Sequence, residues 1–323
     1  MKYNVNIQPG NISYCSDSNL LDDAISENIV LEHSCKTGDC GMCRAEVLSG
    51  QVQNEHGQIV EQGSILACQS KAMSDLVLKA NYYPQLAGIK IQTVPCKVSR
   101  IHRVTDDILV LNYRFPPTAA FEYLSGQYVD LSFNGVKRSY SIANACKTSK
   151  EIELHIRKVP HGQMSKLLFS SVAENQLMRL EGPKGTFFVR DGNNPLIFLA
   201  TGTGIAPVKA MVESLIQSND SRPIHIYWGM QYQTEIYCDE LINYSNQYQH
   251  IHFTSVLSRE HNSQSKHGYV QNAVLDDFNS LSDTEVYACG STKMIEQAKA
   301  LFIESGLSSE NFHSDAFTPA KQN

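Results

Sequence analysis

The stretch Cys35-Lys-Thr-Gly-Asp-Cys40-Gly-Met-Cys43 constrains this 323-residue chain more than any other. Three cysteines spaced C-x4-C-x2-C share one short loop, and Cys68 follows with 24 residues between it and Cys43. Four thiolates around two irons need a tight loop to deliver three of them, and this spacing is that of a [2Fe–2S] ligand set. Gly38 and Gly41 let the backbone curl at positive φ, where a side chain would collide. Amides in such a loop can point at sulfide and thiolate and stabilise the reduced cluster. Zinc is the alternative, because four cysteines also build a tetrahedral centre. Zinc sites usually present two close C-x2-C pairs, and here only Cys40 and Cys43 form one. Cys68 is the ligand least determined by spacing, with Cys15 as its rival.

The other cysteines, Cys15, Cys96, Cys146, Cys238 and Cys289, are scattered. The N-terminus, MKYNVNIQPGN, lacks the apolar core of a secretory signal, so a disulfide framework is not expected. The scattered thiols read as small buried hydrophobes. Charged residues make up 19% of the chain and hydrophobic ones 42%, with a net charge of −6. That profile excludes disordered, collagen-like and coiled-coil classes, and the mild acidity argues against nucleic acid as main partner. No run approaches the roughly 18 apolar residues of a membrane helix. The expectation is a cytoplasmic enzyme with no membrane and no nucleic-acid partner.

Periodicity divides the chain into three. Over residues 1–92, YNVNIQP, NISYCS and RAEVLSGQV alternate as strands do, and NLLDDAISENI reads as an amphipathic helix. Over 93–190, PCKVSRIHRV, DILVLNYRF, QYVDLSF and EIELHIRKV predict a small antiparallel barrel. Over 191–323, the β-rich runs PLIFLAT, PIHIYWG, IHFTSVL and EVYACG alternate with helical VKAMVESLIQSN and TKMIEQAKALFIES. That alternation predicts a parallel sheet with crossover helices. The three segments carry net charges of −4, +6 and −8, from 6 basic and 10 acidic, 14 and 8, and 7 and 15 residues. A basic segment between acidic ones fits a phosphate-bearing cofactor; uneven solvated surface charge is the plainer reading.

Several Gly-rich and polar motifs follow the cysteine loop. Arg138-Ser139-Tyr140-Ser141 comes after a strand ending near Phe133. Gly162-Gln163-Met164-Ser165 opens the apolar-periodic stretch SKLLFSSV, and a Gly turn into a helix offers free N–H groups and a favourable dipole to a pyrophosphate. Gly182-Pro183-Lys184-Gly185-Thr186-Phe187 comes next. Gly202-Thr203-Gly204-Ile205-Ala206-Pro207 follows PLIFLAT, where glycines admit a dinucleotide at the strand end. Taken singly, each also fits an ordinary surface strand or turn.

In this order behind the cysteine loop, the motifs resemble the ferredoxin–NADP reductase superfamily, in its members with an N-terminal plant-type ferredoxin domain. The resemblance covers essentially the whole chain. It implies a multidomain protein: an α+β ferredoxin (β-grasp) domain at 1–92, an antiparallel β-barrel FAD-binding domain at 93–190, and an α/β parallel-sheet NAD(P)H-binding domain at 191–323. It assigns Cys35, Cys40, Cys43 and Cys68 to the cluster. Arg138 is implied to pair with flavin phosphate, as a guanidinium fork suits, Tyr140 to flank the isoalloxazine, and Ser141 to sit near flavin N5. Gly162 and Ser165 match the pyrophosphate turn, favouring FAD over FMN, while Thr203 and Gly204 match the nicotinamide-dinucleotide turn. Cys289-Gly290-Ser291 matches the family segment whose cysteine lies beside the nicotinamide, with a buried thiol as the alternative. Phe317 is either an aromatic cover for the flavin ring or an apolar plug.

The resemblance further implies NAD(P)H donating a hydride to FAD, which releases electrons singly to the cluster and then to an electron-acceptor protein. Stretches such as NYYPQL, PPTAAFEYLSGQYVDL, EGPKGTFFVR and SDAF are closer to the reductases of 3,6-dideoxyhexose biosynthesis. These serve a pyridoxamine-dependent sugar dehydrase that makes a deoxysugar for surface polysaccharide. Reductase components of ring-hydroxylating oxygenases and multicomponent monooxygenases are the alternative, and a non-enzymatic redox sensor the rival of another class. Ser258-Arg259-Glu260 resembles a Ser-Arg pair that grips the 2′-phosphate of NADP, but Glu260 opposes a phosphate, and Lys266-His267-Gly268-Tyr269 lacks the second basic residue directly before the Tyr. NADH is expected to be preferred, with NADPH activity through Arg259.

Overall fold

The computed structural model describes residues 2–33, 36–39, 41–146 and 151–317, and forms two compact units, Met1–Lys90 and Ile91–Asn323. In the first, strand Tyr3–Gln8 pairs antiparallel with Ile12–Ser16 and parallel with Leu76–Lys79. Arg44–Ser49 and then Gly63–Leu66 complete a five-stranded mixed sheet. Alternation buries Val5 and Ile7 on one face, against Leu20, Leu21 and Ala24 of helix Leu20–Ser26. The helix starts where it does because the Asn19 side-chain oxygen accepts from the N–H groups of Leu21 and Asp22, at 3.0 and 3.1 Å, satisfying donors that no helical carbonyl reaches. It ends at Ser26, and Asn28, just past the C-cap Glu27, adopts φ 62°, a left-handed conformation that asparagine tolerates. A mixed sheet with one helix across it is a β-grasp architecture.

The second unit holds two sheets. In the first, Val136–Ser141, Tyr128–Phe133, Leu177–Lys184, Gln92–Arg103, Ile108–Arg114 and Glu151–Arg157 lie side by side in that order, every pair antiparallel. A bridge between Ile142 and Leu154 brings the outermost strands together and closes the barrel. The barrel encloses Val98, Leu111, Val129, Leu131 and Leu180.

The other sheet is wholly parallel: Lys266–His267, Ile251–Leu257, Ile224–Met230, Leu196–Thr201, Glu285–Gly290 and Phe312–Ala316. Its order reverses at Leu196–Thr201, which has later strands on both sides; such a switch point leaves a crevice at the carboxyl ends of the strands. Helices Ile205–Gln217, Asp239–Gln247, Val270–Asp277 and Thr292–Glu304 supply crossovers. Ile108 and Phe187 from the barrel segments share a buried cluster with Phe198, Met211 and Trp228 of the parallel-sheet lobe. Among the described residues, no helix is long and apolar enough to cross a membrane.

Candidate functional site

In the first unit, strand pairing brings Cys43 and Cys68 together. Cys43 precedes Arg44–Ser49 and Cys68 follows Gly63–Leu66, and the register sets Arg44 opposite Leu66. The Ala67 N–H donates to the Cys43 carbonyl at 2.9 Å. Both thiols are buried, their sulfurs 3.0 Å apart, well beyond the roughly 2.05 Å of a disulfide. The Asn19 amide, whose oxygen caps the helix, donates from its nitrogen to the Cys68 carbonyl at 2.6 Å. The Gln69 amide approaches the Cys68 sulfur at 3.8 Å and bonds the Lys36 carbonyl at 3.1 Å. Gly38 and Gly41 adopt φ of +86° and +69°, as a loop curling around a centre requires. Cys35 and Cys40 lie outside the described residues. Cys15 is exposed, on strand Ile12–Ser16. Facing buried thiols with an amide donor close to one sulfur suit a thiolate-bound cluster.

In the barrel, Arg138, Tyr140 and Ser141 lie on Val136–Ser141. Successive strand residues face opposite ways, so Arg138 and Tyr140 share a face and Ser141 occupies the other. Burial pushes the Tyr140 phenol up, and the Arg138 charge offsets this only in part. The Arg138 guanidinium donates to the Lys137 carbonyl at 2.6 Å and, among the described residues, pairs with no carboxylate. The Ser141 hydroxyl is nearly buried, and makes no hydrogen bond among the described residues. Helix Gln163–Ser171 packs against this strand, and Gly162 is its N-cap with no side-chain cap. Its first N–H groups therefore remain available to an anion. Ser165 is buried, and its hydroxyl oxygen accepts from the Val159 N–H at 2.9 Å, so it shapes the turn while its hydrogen is left to donate.

A cleft of about 660 Å³ opens at the carboxyl ends of the parallel strands, at the switch point. Thr203 lines it, in the turn Gly202–Gly204 that leads into helix Ile205–Gln217. Gly204 lies beneath: a Cβ there would sit 2.3 Å from the Cys289 carbonyl oxygen, and one on Gly290 would sit 2.1 Å from Thr201 Oγ1. Trp228, the sole tryptophan, is fully buried and donates to the Gly202 carbonyl at 2.9 Å. Gly290 and Ser291 line the cleft, but the Cys289 side chain does not. It is fully buried in the core, where desolvation and Asp315 push its thiol well up. Phe317, half-exposed, also lines the cleft, its N–H donating to the Gly290 carbonyl at 2.8 Å.

Residues that motif reading passed over complete the cleft. Gln271 and Gln297 line it, beside Tyr269 of the Lys266–Tyr269 stretch. Gln271 is 4% exposed; its amide donates to Gln297 at 3.2 Å, and its oxygen has no partner among the described residues. Such an orphaned acceptor fits a ligand donor. Ser258 lines the cleft, and Arg259 after it is exposed. The Glu260 carboxylate accepts from the Gln233 N–H at 2.8 Å. Lys266 turns to Asp277 at 2.5 Å and to the Ala273 carbonyl at 3.1 Å, so its charge is neutralised there and it does not line the cleft.

Three family models match in order along the chain: a 2Fe-2S iron-sulfur cluster binding domain over residues 5–73, an oxidoreductase FAD-binding domain over 95–189 and an oxidoreductase NAD-binding domain over 198–300. The chain is 47% identical to CDP-6-deoxy-L-threo-D-glycero-4-hexulose-3-dehydrase reductase of Yersinia pseudotuberculosis serotype I, covering 99% of this chain and 100% of that one. It is 29% identical to the reductase component of propane 2-monooxygenase of Mycolicibacterium goodii, covering 98% and 97%. Among solved structures, Amycolatopsis cytochrome P450 reductase GcoB superposes with a TM-score of 0.80 at 24% identity, over 99% of this chain and 100% of that one.

Proposed function

The chain belongs to the ferredoxin–NADP reductase superfamily, in the branch with an N-terminal plant-type ferredoxin domain, and on that premise we propose that it is the NADH-dependent reductase serving a sugar dehydrase in 3,6-dideoxyhexose biosynthesis. It is an oxidoreductase whose domains take a [2Fe–2S] cluster, FAD and NADH. The observation that carries the pathway is the full-length 47% identity to a dehydrase reductase, against 29% for an oxygenase reductase. We place the enzyme in the cytoplasm, with residues 1–92, 93–190 and 191–323 as its cluster, flavin and nucleotide domains.

When bound, the nicotinamide supplies a hydride, and flavin and cluster turn that electron pair into single electrons. In this reading, the Cys43 and Cys68 thiols, with Cys35 and Cys40, hold the cluster. Arg138 and the uncapped helix start at Gly162 bind the flavin's phosphates, Ser165 shapes that turn, Tyr140 flanks the ring and Ser141 offers its hydroxyl to it. The Gly202–Gly204 turn seats the dinucleotide, Gln271 accepts from it, and Phe317 covers part of the cleft. Cys289 acts from the core as packing beneath the Gly204 turn. Arg259, the cation next to the cleft-lining Ser258, offers charge to a 2′-phosphate, and Glu260 next to it in sequence opposes that charge, which supports NADH over NADPH.

The test is anaerobic addition of NADH to the holoenzyme, followed by addition of a pyridoxamine-dependent sugar dehydrase with its substrate. Bleaching of both flavin and cluster absorption, then reoxidation on adding the dehydrase, is expected. No bleaching would support a redox sensor. Reoxidation by an oxygenase component, but not by a dehydrase, would reassign the pathway.

A further inference from the structure

A buried ionic cluster joins the barrel to the nucleotide lobe, and no cofactor motif includes it. Lys209, on helix Ile205–Gln217, is 4% exposed and sits 3.1 Å from Glu153 of the barrel and 2.9 Å from Glu213. Its ammonium also approaches the Ala143 carbonyl at 3.3 Å. Glu213 accepts from the Ala145 N–H at 2.9 Å. On the barrel side, His155 lies 3.0 Å from Glu153 and 3.0 Å from the Tyr237 hydroxyl of the nucleotide lobe.

The cluster connects two places that the reaction must hold in register. Ala143 and Ala145 follow Ser141 by two and four residues, and Lys209 and Glu213 follow Gly204 by five and nine. One helix thus carries the dinucleotide turn at its start and grips the loop behind the flavin strand along its side. The shared apolar core of Ile108, Phe187 and Trp228 already holds the lobes together, but apolar contact is non-directional. Hydrogen bonds fall off steeply with distance and angle. Apolar residues of like volume would hold the lobes together at least as firmly as a buried ion pair, so what this cluster adds over such packing is fixed geometry.

We propose that Lys209, with Glu153 and Glu213, is a positioning device that locks the Ser141 loop against the Gly204 turn for hydride transfer between nicotinamide and flavin. This inference rests on the reductase reading. Hydride transfer needs reacting atoms about 3–3.5 Å apart, and a misplacement of about 1 Å can cost on the order of a hundredfold.

The experiment compares Lys209→Met, Glu213→Ala and Glu213→Gln holoenzymes with wild type. Anaerobic stopped-flow measures flavin reduction per bound FAD by NADH and by its deuterated form, and hydrogen exchange without NADH reports on residues 142–146. Lys209→Met and Glu213→Ala are expected to slow reduction at saturating NADH by about tenfold or more. Half-saturation should stay within about twofold, since uniform binding is retained, while the isotope effect rises and exchange at Ala145 quickens. Glu213→Gln keeps an acceptor for Ala145 but loses the one facing Lys209, and should recover only part of the rate. If Lys209→Met does not fold, Glu213→Ala carries the same test. Wild-type rates per flavin in the folded variants, or losses that only track lost FAD, overturn the inference. A wild-type enzyme that NADH fails to reduce overturns the reductase reading instead.

Discussion

Strand pairing, rather than proximity in sequence, brings Cys68 to Cys43, which makes it the sharpest single-residue test of the proposed cluster. Cys68→Ala should abolish the visible and EPR signals of the [2Fe–2S] cluster while FAD stays bound and reducible by NADH. A normal cluster in the variant would shift the fourth ligand to another thiol such as the exposed Cys15. Arg259 supports a second prediction. With Lys266 committed to Asp277, wild type should show the higher kcat/KM with NADH. Arg259→Ala should lower kcat/KM for NADPH by about tenfold, the scale of one charge-assisted hydrogen bond, and that for NADH far less. A wild-type preference for NADPH, abolished by the substitution, would refute the NADH assignment. At this scale, what the sequence disclosed was spacing: C-x4-C-x2-C, Arg138 to Ser141 and the GTG turn all declare themselves within a few residues. Gln271 and Lys209 did not, because a lone buried amide or ammonium takes its meaning from partners on other segments.

Elements were legible where one face is apolar. Tyr3–Gln8, Ile108–Arg114 and Glu151–Arg157 alternate, and Leu196–Thr201 is a continuous apolar run, so periodicity found them. Phe312–Ala316 escaped because His313, Ser314 and Asp315 are buried despite being polar. Asp239–Gln247 escaped because Leu241 is its only buried residue. Contacts between elements were invisible altogether. Strand Glu285–Gly290 touches the start of helix Ile205–Gln217 so closely that Gly204→Ala would drive a methyl into the Cys289 carbonyl. Overpacking against backbone costs about 1–3 kcal/mol, so thermal melts of Gly204→Ala should show a clear fall in Tm, and its NADH half-saturation should rise. An unchanged Tm would mean that the turn has slack the geometry denies.

Across the whole second unit, acidity tests how the two lobes are joined. Burial would push the Glu153 carboxyl up, but the His155 hydrogen bond and the Lys209 charge outweigh it and hold it at about 2 instead of 4.5. A carboxyl depressed on folding adds stability that is complete above its unfolded value, and it is lost as pH falls through the folded one. Stability from this cluster should therefore drain between pH 4.5 and about 2. Glu153→Gln should be less stable than wild type at pH 7 and approach it toward pH 2. Parallel losses across that range would show that Glu153 does not govern acid sensitivity. The order of cysteine loop, barrel and parallel sheet was readable from changes of period along the chain. The ionic join was not, since it combines residues from 143 to 237 at no fixed interval.

In the first unit, Asn19 serves two masters: its oxygen begins a helix and its nitrogen holds the Cys68 carbonyl. Coupling of this kind is reciprocal. Whatever pins the Cys68 backbone also tightens the first turn of Leu20–Ser26, and whatever frays that turn loosens Cys68. A metal centre bound through Cys68 would therefore steady this helix start as it assembles, and with it the β-grasp around it.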